Sequence, residues 1–569
     1  MKKNYLFIYF LFFLSIELFS QITFQNQSES LGLSVSTGFT DYGNGVSFFD
    51  FDNDGWDDIT LTTENGQNIR FFKNDNGYFN EVTFNISSLN YQTKQVNWVD
   101  IDNDGDNDLF VTSNTNGNRL FENVGSNTFN DITINSGISA INMNTFGASW
   151  GDYNNDGYLD VFISNRATTP GNKLYKNNGN NTFDDVSLSV GIDEIGHQSL
   201  CSAFFDFNND GFQDIYISND KVNNANILYK NNGDGTFSDV SVSSGTDVHL
   251  DAMTVTIDDF NNDSWMDIYV TNTITGNVLL RNNGDETFTD IAIPSGTEFN
   301  SVGWGASFLD ADNDMDLDLY VSGEFNQYVT NYLKAAFYIN NNDETFTLNN
   351  SSFPGDERAS YSNAIGDINN DGFPDILVSN NFENIFLWKN NTINNNNWLK
   401  INLQGVQSNK NGVGSTIEIS IDGNKQYRYT LCGEGYLAQY SDSEFFGLGE
   451  NTIVDYVKVT WLSGNQDIFY NVSANQQLDI EEGSSPLLSV SEILDESLVL
   501  YPIPIKNYLS WNSTYIFDNI EIFDLLGKRI KVFNYVQNNS VNLSDLKTGI
   551  YSIRFSNNDI SITKKVIKE

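Results

Sequence analysis

The sequence predicts an all-β chain: a seven-bladed β-propeller of four-stranded blades, followed by two small β-domains. Three observations carry this. A nine-residue acidic pattern recurs seven times, beginning at Asp50, Asp100, Asp152, Asp206, Asp259, Asp310 and Asp367, and a period of about fifty residues marks a propeller or array. Each copy lies between apolar stretches, such as "GVSFFD" before and "DITLTT" after the first, rich in aromatic and β-branched residues at period two. About twenty residues past each loop's first Asp a further strand runs into Asn and Gly, as in "KLYKNNGNNTFDDVS". That is a tight-hairpin signal, so each repeat offers the four strands of a blade.

In chain order, "MKKNYLFIYFLFFLSIELFSQ" has two lysines, an apolar run and a small Ser20. This reads as a signal peptide over 1–20, too short and wrongly flanked for a membrane span. No later segment reaches membrane-helix length, so the mature chain is expected to be exported, without a transmembrane segment. The propeller is assigned to 21–395. The last strand of a repeat carries a Phe with Gly eight residues on: Phe129 and Gly137, Phe183 and Gly191, Phe237 and Gly245, Phe288 and Gly296. Phe24 and Gly32 fit the same frame but precede the first loop, and no equivalent follows the last. The N-terminal strand is therefore expected to complete the final blade, leaving no unpaired edge at the seam.

The loops specify chemistry. Positions 1, 3, 5 and 9 give Asp50, Asp52, Asp54 and Asp58; Asp100, Asp102, Asp104 and Asp108; Asp152, Asn154, Asp156 and Asp160; and Asp206, Asn208, Asp210 and Asp214. The last three loops supply Asp259, Asn261, Asp263 and Asp267; Asp310, Asp312, Asp314 and Asp318; and Asp367, Asn369, Asp371 and Asp375. Two like charges about 4 Å apart repel by roughly 4 kcal/mol at an effective dielectric of about 20, so seven such clusters call for a cation. Hard oxygen donors without His or Cys favour Ca²⁺, in up to seven sites. An EF-hand would need Glu at position 12, where this chain has Leu61, Val111, Ile163, Ile217, Val270, Val321 and Val378. Position 9, with a position-7 carbonyl, is expected to close the shell instead. Ser264 and Met315 replace the position-6 glycine, which ranks the loops at 259 and 310 as weaker.

These loops, with their "GASW" and "GASF" strands, resemble the FG-GAP/VCBS repeats of integrin α-subunit heads and the cartilage acidic protein family over roughly residues 22–395. The resemblance implies that the Asp and Asn residues above are Ca²⁺ ligands. Beyond the Asn-rich "NNTINNNNW", the run "NKNGVGSTIEI", the pair "GYLAQ" with "FFGLG", and "VKVTWLSG" look like an ASPIC/UnbV domain, assigned to 396–483, with Leu462 where that family usually has Pro. After a linker at 484–495, "LYPIPIKNYLSW", "IEIFDLLGKRIKVF" and "VNLSDLKTGIYSIRF" are similar to the C-terminal sorting domain of the type IX secretion system, a β-sandwich over 496–569 with Ile503 where Asn is common. The resemblance implies the type IX machinery as a partner and secretion or the outer cell surface as the destination.

Composition narrows function. With 75 acidic against 29 basic residues and a net charge of −46, the chain repels nucleic acid and anionic lipid. Cys201 and Cys432 read as two buried thiols, with a bridge between them as the alternative; His197 and His249 are too few for a zinc site. The leading expectation is a non-catalytic, Ca²⁺-stabilised propeller that mediates adhesion or binds an extracellular protein or glycan. The alternatives are a polysaccharide-active, lyase-like enzyme, for which no acid and base stand apart from the repeat, and a lectin with Trp and Tyr on one propeller face as stacking platforms; the nine Trp read mainly as blade core, with Trp98, Trp150 and Trp304, just before the loops, as candidates for lining the central channel.

Overall fold

The structure, a computed structural model, describes residues 21–569 apart from 140–142, 194, 325–331, 486–497, 514–515, 524–527, 535–538 and 558–560. The expected leader and most of the expected linker lie outside the described residues. The chain divides into two compact units, 1–485 and 486–569, and among the described residues no helix is long and apolar enough to cross a membrane.

Each acidic loop joins the first two of four antiparallel strands that form one sheet, with a fifth, parallel strand added in the first sheet. In the third repeat these strands are Thr145–Gly151, Asp160–Asn165, Lys173–Asn177 and Phe183–Asp185. The first two strands are buried along their whole length, because both faces of the sheet pack against neighbouring sheets. Tyr153, Phe162 and Leu174 of this repeat thus share a core with Phe204, Ile215 and Tyr229 of the next. Each large side chain so buried contributes about 1.5–3 kcal/mol.

The sheet of the seventh loop is completed by Phe24–Asn26, which pairs antiparallel with Phe386–Asn390, as the Phe–Gly frame predicts. The frame glycines have a packing reason. A Cβ on Gly191 (φ 94°) would lie 2.7 Å from the carbonyl oxygen of Phe237, the frame Phe of the following sheet; one on Gly32 (φ 93°) would lie 2.4 Å from that of Phe79, in the first sheet. Only glycine fits where positive φ and this close approach coincide.

Residues 397–485 form a three-stranded sheet of Ser443–Gly449, Asn397–Gln404 and Gln476–Glu481, and a four-stranded sheet of Asn424–Tyr429, Thr416–Ile421, Ile453–Thr460 and Gln466–Ser473. They enclose Leu399, Ile401, Ile417, Phe446 and Trp461. Between strands Asn424–Tyr429 and Ser443–Gly449 the chain leaves this module and runs along the first strands of several repeat sheets. There Ala438–Gln439 pairs in parallel with Val46–Ser47 of the first sheet. Gln439 substitutes for a strand partner of Trp98: its Oε1 accepts the Trp98 N–H and its Nε2 donates to the Trp98 carbonyl, both at 2.7 Å. Trp150 N–H donates to Cys432 O, Gly435 N–H to Val255 O and Ser441 N–H to Ile365 O, while the Tyr440 hydroxyl donates to Ala306 O at 2.9 Å. One segment thereby satisfies inner-edge groups of several sheets, edges that would otherwise be unpaired. At its tip the Tyr436 hydroxyl donates to Tyr42 O at 2.7 Å, and the Tyr42 ring lies between Phe146 and Trp304 beneath the Arg166 guanidinium.

One expectation is altered here, and the reading of Cys201 and Cys432 as buried thiols holds. Trp98 and Trp150 are wholly buried, among Phe51, Phe71 and Phe129 and against Phe110 and Phe183, because the aromatic alternation turns them into sheet interiors. Trp304 is buried against Tyr361 and against Tyr436 of the plug. None of the three is an open stacking platform. Cys201 and Cys432 are both buried free thiols.

Glu482 (6% exposed) ties this module together. Its Oε2 accepts the N–H groups of Val406, Gln407 and Ser408 at 2.6–2.8 Å, and its Oε1 accepts the Asn465 amide at 2.8 Å. Burial pushes the carboxyl up, but the Ser463 hydroxyl and the Ser408 and Val406 N–H groups outweigh it and hold the group at about 2. The folded value is below the ordinary one, so its stabilisation is present above about pH 4.5 and is lost as pH falls towards 2. Glu482→Gln is expected to cost about 1.5–3 kcal/mol in urea unfolding at pH 7, the range for hydrogen bonds to a charged group. The deficit should shrink at pH 3; an equal deficit at both values would show that the charge is not what holds the loop.

The C-terminal unit has a three-stranded sheet, Leu498–Tyr501, Tyr508–Ser513 and Ser540–Asn542, and a four-stranded sheet, Arg529–Asn534, Asn519–Phe523, Gly549–Ser556 and Ser561–Lys568. Leu509, Trp511, Ile520, Ile553 and Phe555 fill its core.

Candidate metal centre

The acidic loops share one backbone solution. Asp50 closes the end of its strand by accepting the Asp54 N–H on Oδ1 (3.1 Å) and the Gly55 N–H on Oδ2 (2.6 Å). The equivalent pair recurs on Asp100, Asp152, Asp206, Asp259, Asp310 and Asp367. At position 5 the carboxylates of Asp54, Asp104, Asp156, Asp210, Asp263, Asp314 and Asp371 each accept the N–H of position 7 at 2.9–3.2 Å. Position 9 opens the second strand, and Asp58, Asp108, Asp160, Asp214, Asp267, Asp318 and Asp375 are fully buried there.

Ser264 and Met315 do not open their turns. They adopt φ of 75° and 86°, the left-handed region that Gly holds elsewhere, and still donate to Asp259 and Asp310 at 2.7 and 2.9 Å. A side chain forced into that region costs about 1–2 kcal/mol, so the two loops differ from the others in strain, not in shape.

Ligand oxygens converge within 4.8 Å for Asp50, Asp52 and Asp58, for Asp100, Asp102 and Asp108, and for Asp310, Asp312 and Asp314. Where position 3 is Asn, its amide instead reaches the position-5 carboxylate: Asn208 to Asp210, Asn261 to Asp263 and Asn369 to Asp371, at 2.6–3.0 Å. In the third loop the Asn154 oxygen accepts the Asp156 N–H at 3.0 Å. Burial, with repulsion from neighbouring carboxylates, pushes Asp58 and Asp108 up to about 9 and Asp160, Asp214, Asp267, Asp318 and Asp375 well above the ordinary range. The charged clusters are therefore unstable on their own. Two loops recruit a lysine from the third strand: Lys73 pairs with Asp52 and Asp54, and Lys176 with Asp156. Lysine does not complete them. Asp52 Oδ1, Asp160 Oδ2, Asn208 Oδ1, Asp267 Oδ2 and Asn369 Oδ1 are buried oxygens with no hydrogen-bond donor. One such donorless oxygen in each of five loops, beside carboxylates that repel one another, fits a hard divalent ion.

Two sets of asparagines that sequence reasoning passed over brace the loops. The third strand of each sheet ends in Asn74, Asn123, Asn177, Asn231, Asn282, Asn340 or Asn390, whose N–H donates to the position-9 carboxylate at 2.6–2.9 Å. Its buried amide binds the position-8 carbonyl behind that carboxylate. Asn177, Asn231 and Asn282 are the first Asn of "LYKNN" and "LLRNN", visible in the sequence only as a hairpin signal.

The second set occupies position 4, which is Asn in all seven copies and has φ between 53° and 62°. Each of these amides crosses to the position-6 carbonyl of the next loop: Asn53 to Gly105, Asn103 to Gly157, Asn155 to Gly211, Asn209 to Ser264, Asn262 to Met315 and Asn313 to Gly372, at 2.8–3.3 Å. The seventh, Asn370, returns to Gly55 at 2.9 Å. The following module seats on the same belt: Asn103 Oδ1 accepts the Lys410 N–H and Asn370 Oδ1 the Lys400 ammonium.

Comparison with known proteins gives three domain matches. An FG-GAP-like repeat matches residues 50–111, 100–163, 152–217, 206–270, 259–321 and 327–378; "ASPIC and UnbV" matches 405–487; and a secretion system C-terminal sorting domain matches 499–569. Cartilage acidic protein 1 of Homo sapiens is 28% identical over 313 residues, 52% of this chain and 44% of that protein. The Mus musculus protein of the same name is 27% identical over 266 residues, 44% and 40% respectively. The chain thus matches less than half the length of these relatives. Among solved structures, the BP39L lectin from Burkholderia pseudomallei is similar with a TM-score of 0.40 at 10% identity, over 61% of this chain and 96% of that one. The sorting domain addresses the chain to secretion or the outer surface.

Proposed function

Because the chain belongs to the FG-GAP-like repeat family, we propose that its repeats form a closed seven-bladed propeller whose acidic loops hold Ca²⁺, and that this wheel serves adhesion or ligand binding outside the cell without catalysis. The observation that carries the reading is the belt of position-4 asparagines, whose seven steps return to their origin. Pairing of Phe24–Asn26 with the last sheet supports the same closure. In each loop the ligands would be the side chains at positions 1, 3, 5 and 9, from Asp50, Asp52, Asp54 and Asp58 in the first to Asp367, Asn369, Asp371 and Asp375 in the last. Bound Ca²⁺ supplies the positive charge that the buried carboxylates lack.

A non-catalytic role is supported by how the acids are used: those of the loops are committed to one another and to backbone N–H groups. For binding, one exposed feature stands out. Phe39 and Phe382 stack at 4.6 Å while 43% and 70% exposed, at strand ends opposite the acidic loops, and Phe382 holds a φ of 64° that is rare for a bulky residue. Screening the purified chain on glycan and surface-protein arrays, with a parallel assay for unsaturated sugar products, tests the proposal. Capture without product, weakened by Phe382→Ala, is expected. Release of unsaturated product would replace the binding role with an enzymatic one.

A further inference from the structure

We infer that the position-4 asparagines are positioning residues that couple each Ca²⁺ loop to the next around the wheel; this rests on the calcium reading above. Asn155 illustrates the connection. It lies between two ligand positions of its own loop, Asn154 and Asp156, so an ion drawn to those neighbours fixes its backbone. Its amide donates at 3.0 Å to the Gly211 carbonyl of the next loop. That carbonyl belongs to the peptide group whose N–H, on Phe212, donates at 3.0 Å to Asp210, a predicted ligand of the neighbouring ion. One peptide therefore links the amide of one loop to a carboxylate of the next, and hydrogen bonds in series polarise one another.

The same relay runs through every loop. The position-6 carbonyl receives the preceding Asn, and the position-7 N–H of that peptide donates to the position-5 Asp. The direction is uniform, each loop donating to its successor. Asparagine suits the position twice over: it tolerates the left-handed backbone, and its amide supplies the donor. Glycine would meet only the first requirement. Filling one loop orders the Asn that pre-sets a ligand in the next, so binding is cooperative between neighbours.

The test is a calcium titration of the full chain by calorimetry, with native mass spectrometry counting bound ions, for wild type, Asn155→Gly, Asn370→Gly and a control, Asn232→Gly, whose amide bonds to Thr236 within an exposed hairpin. Glycine holds the positive φ without strain, so the change reads the amide alone. Wild type should fill its loops with a slope above 1. Each belt variant should bind the same number of ions with a shallower slope and about fivefold weaker midpoint affinity, the worth of one hydrogen bond, while the control follows wild type. Asn209→Gly, the equivalent change in the following loop, whose amide donates to Ser264 O at 3.1 Å, should match Asn155→Gly and substitutes for it if that variant does not fold. Belt variants superimposing on wild type at equal ion count would overturn the coupling and leave the calcium reading standing. A wild type that binds no calcium would remove both.

Discussion

Chelating calcium is expected to lower the melting temperature of the unit at residues 1–485 by about 10–20 °C. Extracellular calcium modules bind with dissociation constants of about 10⁻⁴–10⁻³ M. At about 10 mM calcium each filled site therefore adds RT ln(1 + [L]/Kd), about 1.4–2.7 kcal/mol. Seven loops together contribute about 10–19 kcal/mol on the same arithmetic. An unfolding entropy of about 2 cal/mol/K per residue makes 1 kcal/mol worth about 1 °C in a unit of this size. The effect is large because the loops do not stand alone: position 9 is buried and braced by the third-strand asparagine, so an unneutralised charge there acts on the sheet interior. Scanning calorimetry in calcium and in EGTA measures it, and curves within about 2 °C of each other would end the calcium reading.

The second large effect belongs to the plug. Gln439→Ala leaves the buried N–H of Trp98 without its partner and its carbonyl with only the long contact from the Cys432 thiol, at about 1–3 kcal/mol for the orphaned donor. Tyr436→Ala removes a fully buried ring that packs against Trp304 and should cost about 3–5 kcal/mol. Val242→Ala, at a side chain 81% exposed, should stay within about 0.5 kcal/mol. The plug hydrogen-bonds to several repeat sheets, so the sheets and the module that supplies it should also unfold in a single calorimetric transition. Two well-separated transitions, or near-neutral plug variants, would mean that the segment rests against the repeat sheets without stabilising them.

Much of this fold was legible because its signals are local and repeated. The acidic loops, the strands on either side and the Asn-Gly hairpins each follow from period-two alternation or turn chemistry, and seven copies in register remove the ambiguity that one copy leaves. The seam was legible through the displaced Phe24 and Gly32, whose frame reports contact between adjacent sheets. The plug was not. "LCGEGYLAQY" has no strand periodicity of its own, and what organises it is the row of inner-edge groups on sheets hundreds of residues earlier. The belt asparagines were in plain sight at position 4, but a reading tuned to alternate ligand positions treats the residue between them as a spacer. Ser264 and Met315 show the limit of composition: their replacement of glycine leaves a strained and a looser turn both open, and the hydrogen bonds to Asp259 and Asp310 decide for strain by holding both in the glycine conformation.

Pairing of Phe24–Asn26 with Phe386–Asn390 also imposes a schedule on biogenesis. At roughly 5–20 residues per second the ribosome needs about 20–70 s to travel from one partner to the other, and the segment around Gln439 emerges later still. Throughout that interval Phe24–Asn26 has no strand to pair with, so the last sheet is completed only after nearly all the repeats have been synthesised.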